Sequence, residues 1–230
     1  MGGDVRAWNV VAHEWRTLNE ADSQGGARFL GWDGDDTAWL MAPGDQPRLR
    51  SVDAQGAVSE VAIPTAYDAS SALMAPGGRH IALRLRPPST TVAVLQPAGL
   101  RRVGDVPAPG SLRWSPDGAQ LAVYPLSCGP GAGVRLFDVA TGRASWLSNL
   151  NGVPAWSDDG RWVAFGRGPA LLVVVGPGGA SSRRQLQLQG AHGFEVDGWS
   201  DSGRFLAISS GSTLHGHCAI DSPWGASTGT

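Results

Sequence analysis

Residues 113–125, RWSPDGAQLAVYP, run from an apolar anchor through a tight polar turn into an apolar strand. The same order returns as AWSDDGRWVAFG at 155–166 and as GWSDSGRFLAISS at 198–210. Aligned on the anchor, the chain carries Trp32, Met74, Trp114, Trp156 and Trp199, separated by 42, 40, 42 and 43 residues. A steady period of this length is the signature of a repeat architecture and takes precedence over any local motif.

Each unit has the same internal grammar. A short apolar strand leads to the anchor, as in SLRW or GVPAW, and a polar turn follows. The turns are Asp33-Gly34-Asp35-Asp36, Ala75-Pro76-Gly77-Gly78, Ser115-Pro116-Asp117-Gly118, Ser157-Asp158-Asp159-Gly160 and Ser200-Asp201-Ser202-Gly203. Pro presets φ, Asp bonds nearby backbone amides, and Gly accepts the positive φ that closes a hairpin, so Gly118, Gly160 and Gly203 are expected at that position. The strand after each turn is apolar at consecutive positions, for example Leu121-Ala122-Val123 and Val163-Ala164-Phe165. Such runs suit strands covered on both faces. The second half of each unit is again strand, turn, strand, clearest in VRLFDVATGRASWLS at 134–148.

Four short strands at a period near 42 residues predict an all-β β-propeller of four-stranded antiparallel blades with five recognisable units. Helical solenoids of similar period need long helical stretches, which the Pro and Gly spacing interrupts; a β-sandwich is the alternative all-β arrangement. The whole chain, 1–230, reads as one domain, with repeat units at about 27–62, 70–106, 110–148, 152–189 and 194–222 and a tail at 223–230. Residues 5–18, VRAWNVVAHEWRTL, align with 134–148 and so supply the outer strands of a blade. Two closures satisfy this pattern. Either the N-terminal strands complete the fifth inner hairpin in a five-bladed closed ring, or the chain is a truncated six-bladed ring.

Composition narrows the function classes. The 33 Gly and 16 Pro are spread along the 230 residues, as many short strands joined by turns require. Formal net charge is −2, all 18 basic residues are Arg, and they are scattered, so neither nucleic acid nor membrane insertion is expected. Two cysteines, Cys128 and Cys218, do not make a disulfide framework. No charged start with an apolar segment marks an export signal. With Met1 as the true start the expected compartment is the cytoplasm; for a fragment of a longer protein the periplasm or the exterior stays open.

The core WSPDGAQLAV at 114–123, echoed by WSDDGRWVAF and WSDSGRFLAI, resembles the WD40-like (PD40) repeat of TolB-type propellers. The propeller domains of prolyl-oligopeptidase and dipeptidyl-peptidase-IV relatives carry a similar repeat. The resemblance covers about residues 5–210 and encodes hairpin turns and blade packing more than function. The Trp32-Asp33 pair precedes the inner turn and is not the WD dipeptide of eukaryotic WD40 repeats, whose accompanying Gly-His is missing here. The extra N-terminal domain and export signal of TolB have no counterpart in the sequence. In the peptidase relatives the nucleophile belongs to a separate hydrolase domain.

Chemistry is sparse. There is no GxSxG elbow, and a phosphate-binding GxxxxGK[ST] loop is ruled out because Lys is absent. A non-enzymatic protein without cofactor is expected. The sharpest metal candidate is His215, His217 and Cys218, whose alternate spacing can put both imidazoles on one strand face; the competing reading is a degenerate last strand. Aspartates of the turns, such as Asp33, Asp35, Asp36, Asp158 and Asp159, fit turn formation better than calcium, which needs six to eight converging oxygens. The anchor tryptophans are expected in the core, whereas Trp8, Trp15, Trp146 and Trp162 are the aromatics free to meet a ligand.

A partner is expected on the face where blades join and where second strands lead to third strands. The loops 19–28, 63–72, 86–91, 125–133, 149–152 and 190–196 gather there, presenting Tyr67, Asp68, Arg86, Asn149, Asn151, His192 and Glu195. The function this predicts is a scaffold binding a protein or peptide through its loop face. A sensor or substrate-gating segment of a larger peptidase-like protein, and a small-ligand or metal-binding propeller, are the alternatives.

Overall fold

In the computed structural model the described residues are 4–19, 26–42, 44–107, 110–124, 133–148, 153–167, 171–176, 182–187 and 194–210. Among them the regular elements are strands, with a 3-10 turn at Ala98–Leu100. None is a helix long and apolar enough to cross a membrane.

The strands form antiparallel hairpins and four-stranded sheets. A hairpin of β1 (Val5–Asn9) and β2 (Glu14–Asn19) comes first. Four sheets follow, each in chain order: β3 (Arg28–Trp32), β4 (Ala38–Ala42), β5 (Arg48–Val52) and β6 (Val58–Ala62); then β7 (Tyr67–Met74), β8 (Ile81–Leu85), β9 (Thr91–Gln96) and β10 (Arg101–Pro107). The third holds β11 (Ser111–Trp114), β12 (Gln120–Tyr124), β13 (Gly133–Asp138) and β14 (Arg143–Ser148). The fourth holds β15 (Ala155–Trp156), β16 (Val163–Arg167), β17 (Leu171–Val175) and β18 (Arg184–Gln187), and the last hairpin is β19 (Phe194–Trp199) with β20 (Leu206–Ser210). Each sheet is a four-stranded meander, the blade that the 42-residue period demands.

The turn after each anchor is built as the sequence dictates. The buried Ser115 hydroxyl accepts from the Gln120 amide at 2.9 Å and donates to the Asp117 carboxylate at 2.6 Å, which also accepts from the Ala119 amide at 3.0 Å. Ser157, Asp159, Arg161 and Trp162 repeat this arrangement with the same spacing. In the last hairpin Ser202 stands where the two preceding turns have Asp117 and Asp159, and its hydroxyl lies 3.2 Å from that of Ser200. The turn glycines have φ of 68° at Gly118, 69° at Gly160 and 65° at Gly203, the left-handed region that glycine enters without strain. The turn carboxylates of Asp33, Asp117 and Asp159 accept from backbone amides two to four residues further on, as turn formation requires.

Burial peaks in the middle strands. Leu40, Ile81, Ala82, Leu83, Val92, Val94, Leu121 and Phe165 have no exposed surface, while β6 is largely open to solvent. The chain divides into two compact units, Met1–Leu121 with Phe137–Ala144, and Ala122–Leu136 with Ser145–Thr230. In the first, Trp39, Met41, Leu49, Met74, Ile81, Leu83 and Leu95 form one cluster. A second cluster of Leu18, Ala38, Leu40 and Val52 seats the first hairpin through Val5 and Ala7. In the second unit, Val134, Leu136, Trp156, Val163, Phe165 and Val173 pack together.

The anchors divide. Met74, Trp114 and Trp156 are buried, and Trp199 is half-buried. Trp114 and Trp199 also donate their indole N–H groups one repeat back, to the carbonyls of Leu73 at 3.1 Å and Ala155 at 2.9 Å. Trp32 departs from the expectation of a core anchor, being 43% exposed and stacked at a tilt on Phe29 with ring centroids 5.5 Å apart. The reason is positional. Trp114 and Trp199 each close on the inner strand of the preceding blade, whereas among the described residues the chain before Trp32 supplies only the β1–β2 hairpin.

Candidate functional site

The loop end of the first unit is organised around an irregularity in β7. Asp68 pairs with Arg84, but the next described pair is Leu73 with Ala82, so the strand bulges between them. Bulges of this kind re-aim side chains next to functional surfaces. Here the bulge is held by side chains. The Asp68 carboxylate accepts from the amide and the hydroxyl of Ser70, at 3.0 and 2.6 Å. The Ser71 hydroxyl donates to the Asp68 carbonyl at 2.6 Å and accepts from the Arg84 amide at 2.8 Å, so it bridges the gap in the ladder.

Arginines fasten this end together. Arg28, at the start of β3, donates to the Ala72 carbonyl at 2.9 Å and the Ser70 carbonyl at 3.3 Å. Arg84 donates to the carbonyl of Gly110, just before β11. The Arg86 amide bonds the Ala66 carbonyl at 2.9 Å, and its Nε donates to the Tyr67 carbonyl at 3.1 Å. These side chains use guanidinium donors on backbone carbonyls, which fixes where β7 begins and where the loop after β8 leaves.

Of the predicted partner-binding residues, the structure brings Tyr67, Asp68 and Arg86 together at this end. Tyr67 and Asp68 are not loop residues as expected but the first two residues of β7, because the turn at Pro64–Ala66 closes early through the Tyr67 amide bonding the Pro64 carbonyl at 3.0 Å. Glu195 likewise lies inside strand β19, paired with Ser209, and not in a loop. Asn149, Asn151 and His192 lie outside the described residues, as do the candidate metal ligands His215, His217 and Cys218. Among the described residues no group of three His, Cys, Asp or Glu side chains converges as a metal site.

The aromatics outside the anchor position also separate. Trp8 and Trp15 face each other across the β1–β2 hairpin with ring centroids 5.1 Å apart, and both are exposed. Trp146 is covered on one side by the guanidinium of Arg135, 4.1 Å from its ring centroid. Trp162 closes over Gly176, leaving no room there for a side chain.

A second concavity went unseen in the sequence. At the turn end of the second and third sheets a cleft of about 560 Å³ is lined by Arg79 and His80 from the β7–β8 turn and by Arg101 and Arg102 from the start of β10. Asp117 of the β11–β12 turn, Gln96, Val103 and Val139 also line it. Arg102 is charge-paired with Asp105, whose hydrogen bonds raise the guanidinium pKa. His80 is held below its ordinary pKa, first by burial and then by the neighbouring Arg79 charge. The doublets Arg79-His80 and Arg101-Arg102 are visible in the sequence, but twenty residues separate them and only the strand pairing makes them neighbours.

No protein-family profile matches the sequence, and no curated protein matches it. Solved structures do. Hsv2 from Kluyveromyces lactis aligns over 90% of this chain and 65% of its own, with a TM-score of 0.55 and 14% identity. Dihydro-heme d1 dehydrogenase NirN, in complex with DHE, aligns over 90% of this chain and 48% of its own, with a TM-score of 0.59 and 16% identity. TolB from Acinetobacter baumannii is a weaker likeness, with a TM-score of 0.46 and 16% identity over 82% of this chain and 49% of its own. The chain therefore spans about two thirds of Hsv2 and about half of NirN. The fold is that of a β-propeller.

Proposed function

We propose that this propeller is a non-catalytic scaffold that binds a protein or peptide through its loop end, with Tyr67, Asp68 and Arg86 at the centre of the contact. Propellers of this fold serve generally as protein-binding scaffolds. The observation that carries it is the clamped bulge at the start of β7. A strand interrupted between Asp68 and Leu73, and then fixed by Asp68, Ser70, Ser71 and Arg86, presents varied polar and aromatic groups from a rigid base. Rigidity there lowers the ordering cost of binding. Recognition of this kind needs no chemical step.

The test is selection of displayed peptides on the intact chain, followed by affinity measurement with Tyr67→Ala and Arg86→Ala variants. Selected peptides should bind the folded wild type saturably and lose affinity for at least one of the two variants. Peptides that bind both variants as tightly as wild type would place the contact elsewhere and sink the reading.

A further inference from the structure

We propose that the cleft at the turn end of the second and third sheets is a binding site for a phosphate monoester, gripped by the guanidinium groups of Arg79, Arg101 and Arg102. It lies at the opposite end of β7 from Tyr67: the ladder sets Tyr67 against Leu85, and Met74, which leads into the turn bearing Arg79, against Ile81, four residue steps of β8 and about 13 Å apart.

Donor supply is the first argument. Arg101 uses Nε on the Gln96 side chain at 2.8 Å, which leaves both terminal nitrogens of its fork available. Arg102 gives Nε and one terminal nitrogen to Asp105, and its other terminal nitrogen remains. Arg79 has no hydrogen-bond partner among the described residues. Guanidinium forks bind oxyanions with directional, charge-assisted bonds that a point charge cannot copy.

The second argument is charge and shape. Three guanidinium groups stand against the carboxylates of Asp105 and Asp117, and Asp117 is turned toward its own hairpin through the Ser115 hydroxyl and the Ala119 amide. The excess is positive and localised, on a protein whose formal net charge is −2. A planar carboxylate saturates one fork, whereas a phosphate monoester offers three terminal oxygens and nearly two negative charges to forks arriving from the β7–β8 turn and from β10. About 560 Å³ exceeds what the phosphate needs, and Val103 and Val139 provide an apolar wall for the group it esterifies.

The experiment titrates the full chain with glycerol 3-phosphate by calorimetry, while NMR follows the ring of His80, which lies within the cleft. Sedimentation with phosphatidylcholine vesicles, with and without phosphatidic acid, forms a second arm. Binding of the soluble ester assigns a free metabolite phosphate, binding only to the phosphatidic acid vesicles assigns a lipid headgroup, and either supports the site. The Arg79→Ala, Arg101→Ala double variant should weaken whichever probe binds by about tenfold or more, with Arg79→Lys, Arg101→Lys recovering only part. If the alanine variant does not fold, saturable movement of the wild-type His80 resonances, together with the lysine variant, carries the test. Three outcomes overturn the proposal: no binding in either arm, equal binding by the variants, or succinate binding as tightly as the phosphate ester.

Discussion

The indole nitrogen of Trp114 donates to the carbonyl of Leu73, a residue 41 positions earlier, at 3.1 Å. One repeat thereby closes on the one before, and the residue that does so is the most regular feature of the sequence. Trp199 makes the equivalent bond to Ala155. Trp114→Ala should cost about 3–5 kcal/mol in denaturant unfolding, because it removes a large buried side chain. Trp32→Ala, at the exposed member of the same series, should cost under about 1 kcal/mol. Similar losses at both sites would refute the division of the anchors.

Gly118 combines a φ of 68° with crowding: a Cβ there would lie 2.7 Å from the Pro76 carbonyl oxygen. Gly118→Val should therefore destabilise by roughly 1–3 kcal/mol or more. Gly34 occupies the corresponding region of the first hairpin with open space around it and no positive φ. Gly34→Ala should change stability by less than about 0.5 kcal/mol. Melting temperatures of the two variants, measured side by side, decide it.

Asp159 is held below the ordinary carboxylate pKa, chiefly by the hydrogen bond from the Ser157 hydroxyl and next by the Arg161 amide. A carboxyl depressed in the folded state contributes stability above its unfolded pKa of about 3.9 and loses it as pH falls through the lower folded value. Ser157→Ala should move the Asp159 titration upward and narrow that acid window. NMR titration of the Asp159 carboxyl in both proteins reads the shift, and an unchanged midpoint would show that the hydroxyl is not the cause.

The Ser71 side chain bridges the β7 bulge to β8, between the Asp68 carbonyl and the Arg84 amide. Ser71→Ala should cost about 1 kcal/mol and accelerate hydrogen exchange at the Arg84 amide. Exchange at Leu83 and Val94, in the buried ladder, should stay as it is. Uniform acceleration across β8 would mean a global loss of stability instead of a local release.

The repeat was legible because turn chemistry and strand burial leave local marks. Ser115, Asp117 and Gly118 each have a backbone reason to be what they are, and the reason lies within five residues. The exposure of Trp32 was not legible, since an anchor is buried only by what its neighbouring blade provides. Tyr67 and Asp68 read as loop because Pro64 and Asp68 are turn formers, yet the bulge lets the ladder begin earlier. The basic cleft was invisible for a related reason: Arg79 and Arg101 become neighbours only through the pairing of four strands, and no spacing in the sequence announces it. Function proved harder to read than fold throughout, because the loops that would carry it obey no repeat.

The bonds of the Ser-Asp-Gly turns never reach beyond five residues: Ser115 to Asp117, Ala119 to its aspartate, Gln120 back to Ser115. Loop closure over so short a span is fast and entropically mild. Each inner hairpin is therefore a low-contact-order element that can assemble before its blade exists, while the Trp114–Leu73 clasp must wait for a neighbour. Nascent chain leaving the ribosome would present one finished hairpin after another, each ready to template the next.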